Sequence, residues 1–236
     1  MPLFETADRK IHYEIDGEGT PILTIAPGGM RSAHDLWDGQ PWDPRQLSDN
    51  YQVIGMDQRN AGASVAPISG SDGWADYTAD QLALLDHLDV ERCHVIGMCI
   101  GGPYLIGLLR AAPERFISAI LLQPVGVDGN RAELDGMFDA WAANIIDDHP
   151  EAGPDDWTQF RSNMWGGDFV LTATPDEVAT IETPMLVAMG NDIFHPAATS
   201  REIVERAPNA TLIEQWKEPE TVGAAGVAFR DFLDSH

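Results

Sequence analysis

Basic side chains are scarce in this chain of 236 residues. Lysine occurs only at Lys10 and Lys217, and 14 basic groups stand against 38 acidic ones, for a formal net charge of −24. A nucleic-acid partner needs a basic face to neutralise phosphates, so none is expected. The acidic excess reads as a solvated surface that keeps the protein dispersed. Cysteine is almost absent as well. Cys93 and Cys99 are the only two, too close in sequence and too differently directed for a framework disulfide. That points to a reducing compartment, and a cytoplasmic location is expected. No stretch approaches the ~20 apolar residues of a membrane span, and the first residues lack both a basic start and an apolar run, so no membrane partner is expected. Internal repeats, zinc-ligand spacings and phosphate-binding loops are missing too, so neither a metal nor a cofactor is implied.

What is present is an alternation of strands and helices. A hydrophobic content of 44% is ample for one core, and residues 1–236 are expected to form a single domain. Residues 2–18 alternate polar and apolar and predict an initial hairpin, with Asp16-Gly17-Glu18-Gly19 as a turn. Further strands are expected at Pro21–Ala26, Tyr51–Met56, Phe116–Gln123, Pro184–Met189 and Thr211–Trp216. Helical spacing marks Thr78–Leu88, Pro103–Ala112, Ala197–Ala207 and Thr221–Leu233, and Ser32 is placed to cap a helix holding His34 and Trp37. Such an order gives a mostly parallel sheet with functional loops at its carboxyl ends. From Val127 to about Ile181 the rhythm breaks into glycines, prolines, acidic residues and tryptophans.

One stretch organises the rest. Cys93-His94-Val95-Ile96-Gly97-Met98-Cys99-Ile100-Gly101-Gly102 runs an apolar strand into a Gly-x-Cys-x-Gly-Gly corner. Glycine on both sides of the apex removes the collision that side chains would make in so tight a bend. The apex residue is then strained, with a helix N-terminus behind it, and free amides there favour a thiolate. Cys99 is thus a candidate nucleophile, whereas Cys93 reads as a buried structural residue.

That corner resembles the nucleophile elbow of the α/β-hydrolase superfamily, with cysteine where most members carry serine. Pro21 to Met30 is similar to the family's strand and oxyanion loop, Asp57-Gln58-Arg59-Asn60-Ala61-Gly62-Ala63-Ser64 to its Asp-x-Arg-Gly-x-Gly-x-Ser loop, and Gly190-Asn191-Asp192 to its acid turn. The resemblance implies an α/β-hydrolase fold, with residues 129–180 as a short helical cap. It implies that Ile100, with Gly29 or Met30, donates the amides that hold an oxyanion. In the cap, helices are expected at Leu134–Ile146 and Asp155–Trp165, and Trp141, Met164 and Trp165 either line a substrate pocket or glue the cap to the body.

The resemblance also exposes a gap. Relatives carry a catalytic histidine between the last strand and the last helix, whereas here Glu214-Gln215-Trp216-Lys217-Glu218-Pro219 holds none. His195, three residues after Asp192, is either the base or only the start of the next helix. His34, beside the oxyanion loop, is either a base or a contact to cap or substrate. On a third reading Cys99 needs no dedicated base, since a thiol ionises far more readily than a hydroxyl. The expectation is a hydrolase of a small activated acyl compound using Cys99, Asp192 and His195. The alternative is a non-hydrolytic member that binds a small molecule or acts as a lyase, and a homodimer is left open.

Overall fold

The computed structural model describes residues 2–236. Its strands are β1 (Leu3–Glu5), β2 (Lys10–Asp16), β3 (Thr20–Ile25), β4 (Tyr51–Met56), β5 (Cys93–Met98), β6 (Phe116–Leu122), β7 (Met185–Ala188) and β8 (Ala210–Ile213). They form one eight-stranded sheet in the order β1-β2-β4-β3-β5-β6-β7-β8. Pairing is antiparallel for β1 with β2 and β2 with β4, and parallel from β4 onward. All six residues of β5 are buried, as are all four of β7, which is why these strands read as unbroken apolar runs: both faces of a parallel sheet are covered.

The helices are α1 (Trp74–His87), α2 (Gly101–Ala111), α3 (Arg131–Ile145), α4 (Pro154–Trp165), α5 (Pro175–Val178), α6 (Ala197–Arg206) and α7 (Val222–Asp234). The fold is that of the α/β hydrolases. Two local departures have simple causes. The hairpin turn lies at Thr6–Arg9, closed by the Thr6 amide on the Arg9 carbonyl, while Gly17 and Gly19, both with positive φ, steer β2 toward β3. Ser32 caps no helix, because its hydroxyl donates to the Ala26 carbonyl at 2.6 Å. His34–Trp37 is a single short 3₁₀ turn.

Register decides where chemistry can occur. Ile25 pairs with Gly97, Met98 with Leu122, and Leu122 with Ala188. The loops leaving β3, β5, β6 and β7 therefore emerge together on one rim. Above it, α3 packs on the loop after β3, where Arg31 Nη2 donates to the Ala140 carbonyl at 3.1 Å. Helices α3 and α4 join through a cluster of perpendicular aromatic rings, Phe138, Trp141, Trp157 and Phe160, with centroids 5.4–5.9 Å apart. Ring pairs of this kind add about 0.5–1.5 kcal/mol each beyond their buried area.

Candidate active site

The corner after β5 places Cys99 at φ 60°, a left-handed conformation that costs an L-residue about 1–3 kcal/mol. Glycine makes the corner possible. A Cβ at Gly97 would lie 2.7 Å from the Gly101 carbonyl oxygen, and one at Gly101 would lie 2.8 Å from that of Ile25. The bend is tied down by the Cys99 amide on the Leu122 carbonyl and by the amides of Gly102 and Val125 on the Cys99 carbonyl, each at 3.0 Å. Helix α2 starts directly behind, so its dipole favours negative charge on the sulfur.

The loop after β7 brings the imidazole. Asp192 Oδ1 accepts from the backbone amides of Phe194 at 3.0 Å and His195 at 3.1 Å. Both carboxylate oxygens lie 2.8 Å from His195 Nδ1. An ionised carboxylate can only accept, so Nδ1 carries the proton and Nε2 is left free. Among the described residues, buried Nε2 has no hydrogen-bond partner of its own, and Cys99 is the group outside the loop whose nearness raises the imidazole. Asp192 and His195 are thus a bonded pair with the Cys99 thiol close by, and the imidazole is supplied by the acid loop itself.

Electrostatics along the series runs against burial. Burial alone pushes the Cys99 thiol up, but the nearby His195 imidazole, then the amides of Gly28 and Ile100, hold it below its ordinary value. Burial would likewise push the His195 imidazole down, yet Cys99 and Asp192 raise it. Asp192 is held below the usual carboxylate range, because His195 and the two loop amides outweigh its partial burial. Each of the three shifts favours the charged form of its group.

The remaining candidates fall elsewhere. Of the loop amides, that of Gly28, one position before Gly29 and Met30, is the one that favours the Cys99 thiolate. Gly28 and Gly29 both have positive φ, which turns the chain sharply there, and Met30 is core. The His34 ring packs against the Gly55 backbone, filling the space of a Cβ, while its amide donates to Asp57 Oδ1 at 2.7 Å. Its place is in the body of the protein, not on the sulfur. Trp141 is buried in the cap cluster and donates to the Asn60 carbonyl at 3.2 Å. The Met164 carbonyl accepts from Trp74 Nε1 at 2.8 Å, and Trp165 stands perpendicular to Trp74. These three join α3 and α4 to the loop after β4 and to α1. Among the described residues, no cluster of His, Cys, Asp and Glu could hold a metal ion, and no helix is long and apolar enough to cross a membrane.

Sequence reasoning passed over Gly28, Gln123 and Lys217. The only signals were the doubled glycine of the loop after β3 and the rarity of lysine.

Comparison with known proteins agrees with the architecture. Residues 21–163, more than half of the chain, match the family described as alpha/beta hydrolase fold. A candidate carbamate hydrolase, RutD, of Azorhizobium caulinodans is 36% identical over 52% of this chain and 44% of its own length; the match thus spans less than half of that relative. The namesake from Stutzerimonas stutzeri is 33% identical over 86% of both chains. Among solved structures, the enol-lactonase of Burkholderia xenovorans LB400 superposes with a TM-score of 0.71 at 23% identity, covering 99% of this chain and 100% of the other. At that identity the likeness is one of fold.

Proposed function

This chain belongs to the alpha/beta hydrolase fold family, and from that premise we propose that it hydrolyses small activated acyl compounds through a Cys99 acyl-enzyme. Esters, thioesters and lactones are the substrate class. One observation carries the reading: Cys99 stands at a left-handed bend on the rim where His195, its Nδ1 held 2.8 Å from the Asp192 carboxylate, keeps its other buried nitrogen unpartnered among the described residues.

In the proposed cycle the Cys99 thiolate attacks the acyl carbon, forming a C–S bond and an oxyanion. The amides of Ile100 and Gly28 receive that oxyanion, an arrangement in which each donor is worth about 10²–10³ in rate. Collapse breaks the bond to the leaving oxygen or sulfur, which takes the proton from His195 Nε2. Nε2 then accepts a proton from water, whose oxygen attacks the thioester and releases the acid and the Cys99 thiolate. Asp192 stays ionised and keeps the ring directed. A thiolate formed before substrate arrives suits good leaving groups and gives little help with amides.

Cap helix α3 limits the size of the substrate. Met137 Sδ would sit 3.4 Å from a Cβ at Gly29, and Cys99 is only 8% exposed. The names of the relatives, a candidate carbamate hydrolase and an enol-lactonase, both describe attack on an acyl carbon. A reducing cytoplasm, the proposed location, would keep Cys99 free. The test is mass spectrometry of the protein quenched during turnover of p-nitrophenyl acetate. One acetyl group on the Cys99 peptide is expected, absent in Cys99→Ala. Undiminished hydrolysis by Cys99→Ala would defeat the reading.

A further inference from the structure

A half-buried ammonium is costly unless it has partners, and this chain spends one of its two lysines beside the acid loop. Lys217 follows β8, and its side chain is 19% exposed. Its backbone is fixed by the neighbouring Trp216, fully buried, whose Nε1 donates to the Met189 carbonyl at 2.9 Å. From there Lys217 Nζ donates to Gln123 Oε1 at 2.6 Å and lies 3.9 Å from Asp192 Oδ2. Gln123 directly follows β6 with φ 39°, its amide on the Ala188 carbonyl at 2.7 Å. One ammonium thereby ties together the carboxyl ends of β6, β7 and β8.

We infer that Lys217 is a positioning residue for the proton relay, supplying the counter-charge that holds the Asp192 carboxylate against His195. This rests on the proposed role of Cys99, His195 and Asp192 and adds a fourth member to it. Asp192 needs such support. Oδ1 takes two loop amides and shares His195 Nδ1 with Oδ2, so among the described residues the ammonium is the only further group drawn to Oδ2. Its surroundings are otherwise anionic: Asp128 lines the same open depression of about 610 Å³, and the Cys99 thiolate is on the far side of the ring. Glu218, next to Lys217, accepts from the Thr221 hydroxyl at 3.0 Å and also feels the Lys217 charge, so it is a second, weaker anion beside the ammonium. The other lysine, Lys10, is exposed and pairs with Glu5 on the first hairpin. It plays no part here.

The charged groups around the relay fix the sign of the effect. Without the ammonium, Asp128 and the thiolate make ionisation of Asp192 harder. Protonated Asp192 no longer braces the imidazolium, and the thiolate is lost with it. The acid limb of Cys99 reactivity should therefore move to higher pH.

The experiment is the rate of Cys99 alkylation by iodoacetamide against pH, in wild type, Lys217→Met, Lys217→Arg, Asp192→Asn and the double variant Lys217→Met/Asp192→Asn. Peptide mapping separates Cys99 from Cys93. Lys217→Met should move the acid limb up by about half a pH unit and slow alkylation near pH 6 by about two- to fivefold, the size of a partly exposed ion pair. Lys217→Arg should restore both. In the Asp192→Asn background, Lys217→Met should change nothing further. Should Lys217→Met fold poorly, Lys217→Gln, which keeps a donor but no charge, should show the same shifted limb. Overlapping profiles for wild type and the uncharged variants, with Asp192→Asn alone shifted, would overturn the inference and leave the relay standing. Overlap of Asp192→Asn with wild type would overturn the relay itself.

Discussion

The two ends of β5 each hold a buried cysteine and a buried histidine, with opposite outcomes. At the amino end, burial pushes the Cys93 thiol up to about 12, and only the backbone at Leu23 and distant Arg115 oppose it. His94 beside it drops to about 4, again through burial first, with Nδ1 on the Ser118 hydroxyl at 2.8 Å. Both groups are neutral near pH 7. At the carboxyl end burial acts in the same sense, yet Cys99 is lowered and His195 raised. The difference lies in what the polypeptide aims at the two groups. Cys99 receives the amides of Gly28 and Ile100 and an imidazole whose other nitrogen rests on a carboxylate. Residue type and burial therefore predict little; directed partners decide which end favours its charged forms.

The contrast can be broken most completely at the sulfur. Cys99→Ala should abolish the acyl-enzyme and turnover of p-nitrophenyl acetate, while Cys93→Ala should keep near wild-type kcat/KM. Equal losses in the two variants would erase the distinction. Removing the partner comes next. His195→Asn should lower kcat by about 10²–10⁴-fold, the range for general acid–base groups, and should slow Cys99 alkylation below pH 7 because the thiol loses what holds it down. Stopped-flow rates that match wild type would show that the amides suffice alone.

The neutral end makes a prediction about stability. The unfolded chain takes up a proton on His94 near its ordinary 6.5, whereas the folded chain resists until about 4. Stability from this group therefore falls as pH drops between those values, by about 3 kcal/mol in all. Denaturant titrations of His94→Asn should show a flatter decline over that window, and an unchanged slope would contradict the assignment. The smallest effect is expected at Cys93. Its truncation to alanine removes one buried sulfur and should cost about 1–2 kcal/mol by urea unfolding.

Much of the fold was legible because it depends on patterns of short range. Apolar runs bounded by glycine and proline located the strands of the parallel sheet, and glycines at 97 and 101 marked a corner that only small residues permit. The site was less legible. Whether an imidazole three residues beyond Asp192 turns back onto it depends on a ring rotation that no spacing encodes. Gly28 and Gly29 are both left-handed, and which way such a turn aims its amides is not written in the doubled glycine. His34 looked suitable by position but fills the space above Gly55, and the cap tryptophans are equally apolar whether they line a pocket or join two helices.

Sequence alone settled that this chain builds a parallel sheet with a cysteine at a glycine-flanked bend, since steric limits at the bend and hydrophobic periodicity are local properties. Tertiary structure decided which groups meet that cysteine. Residues 28, 99, 192 and 195 come from three separate loops, and only the register of β3, β5 and β7 places them within reach of one another. Lys217 shows the same division: in sequence it is a lone cation in an acidic stretch, and it gains a partner only where β6, β7 and β8 end side by side.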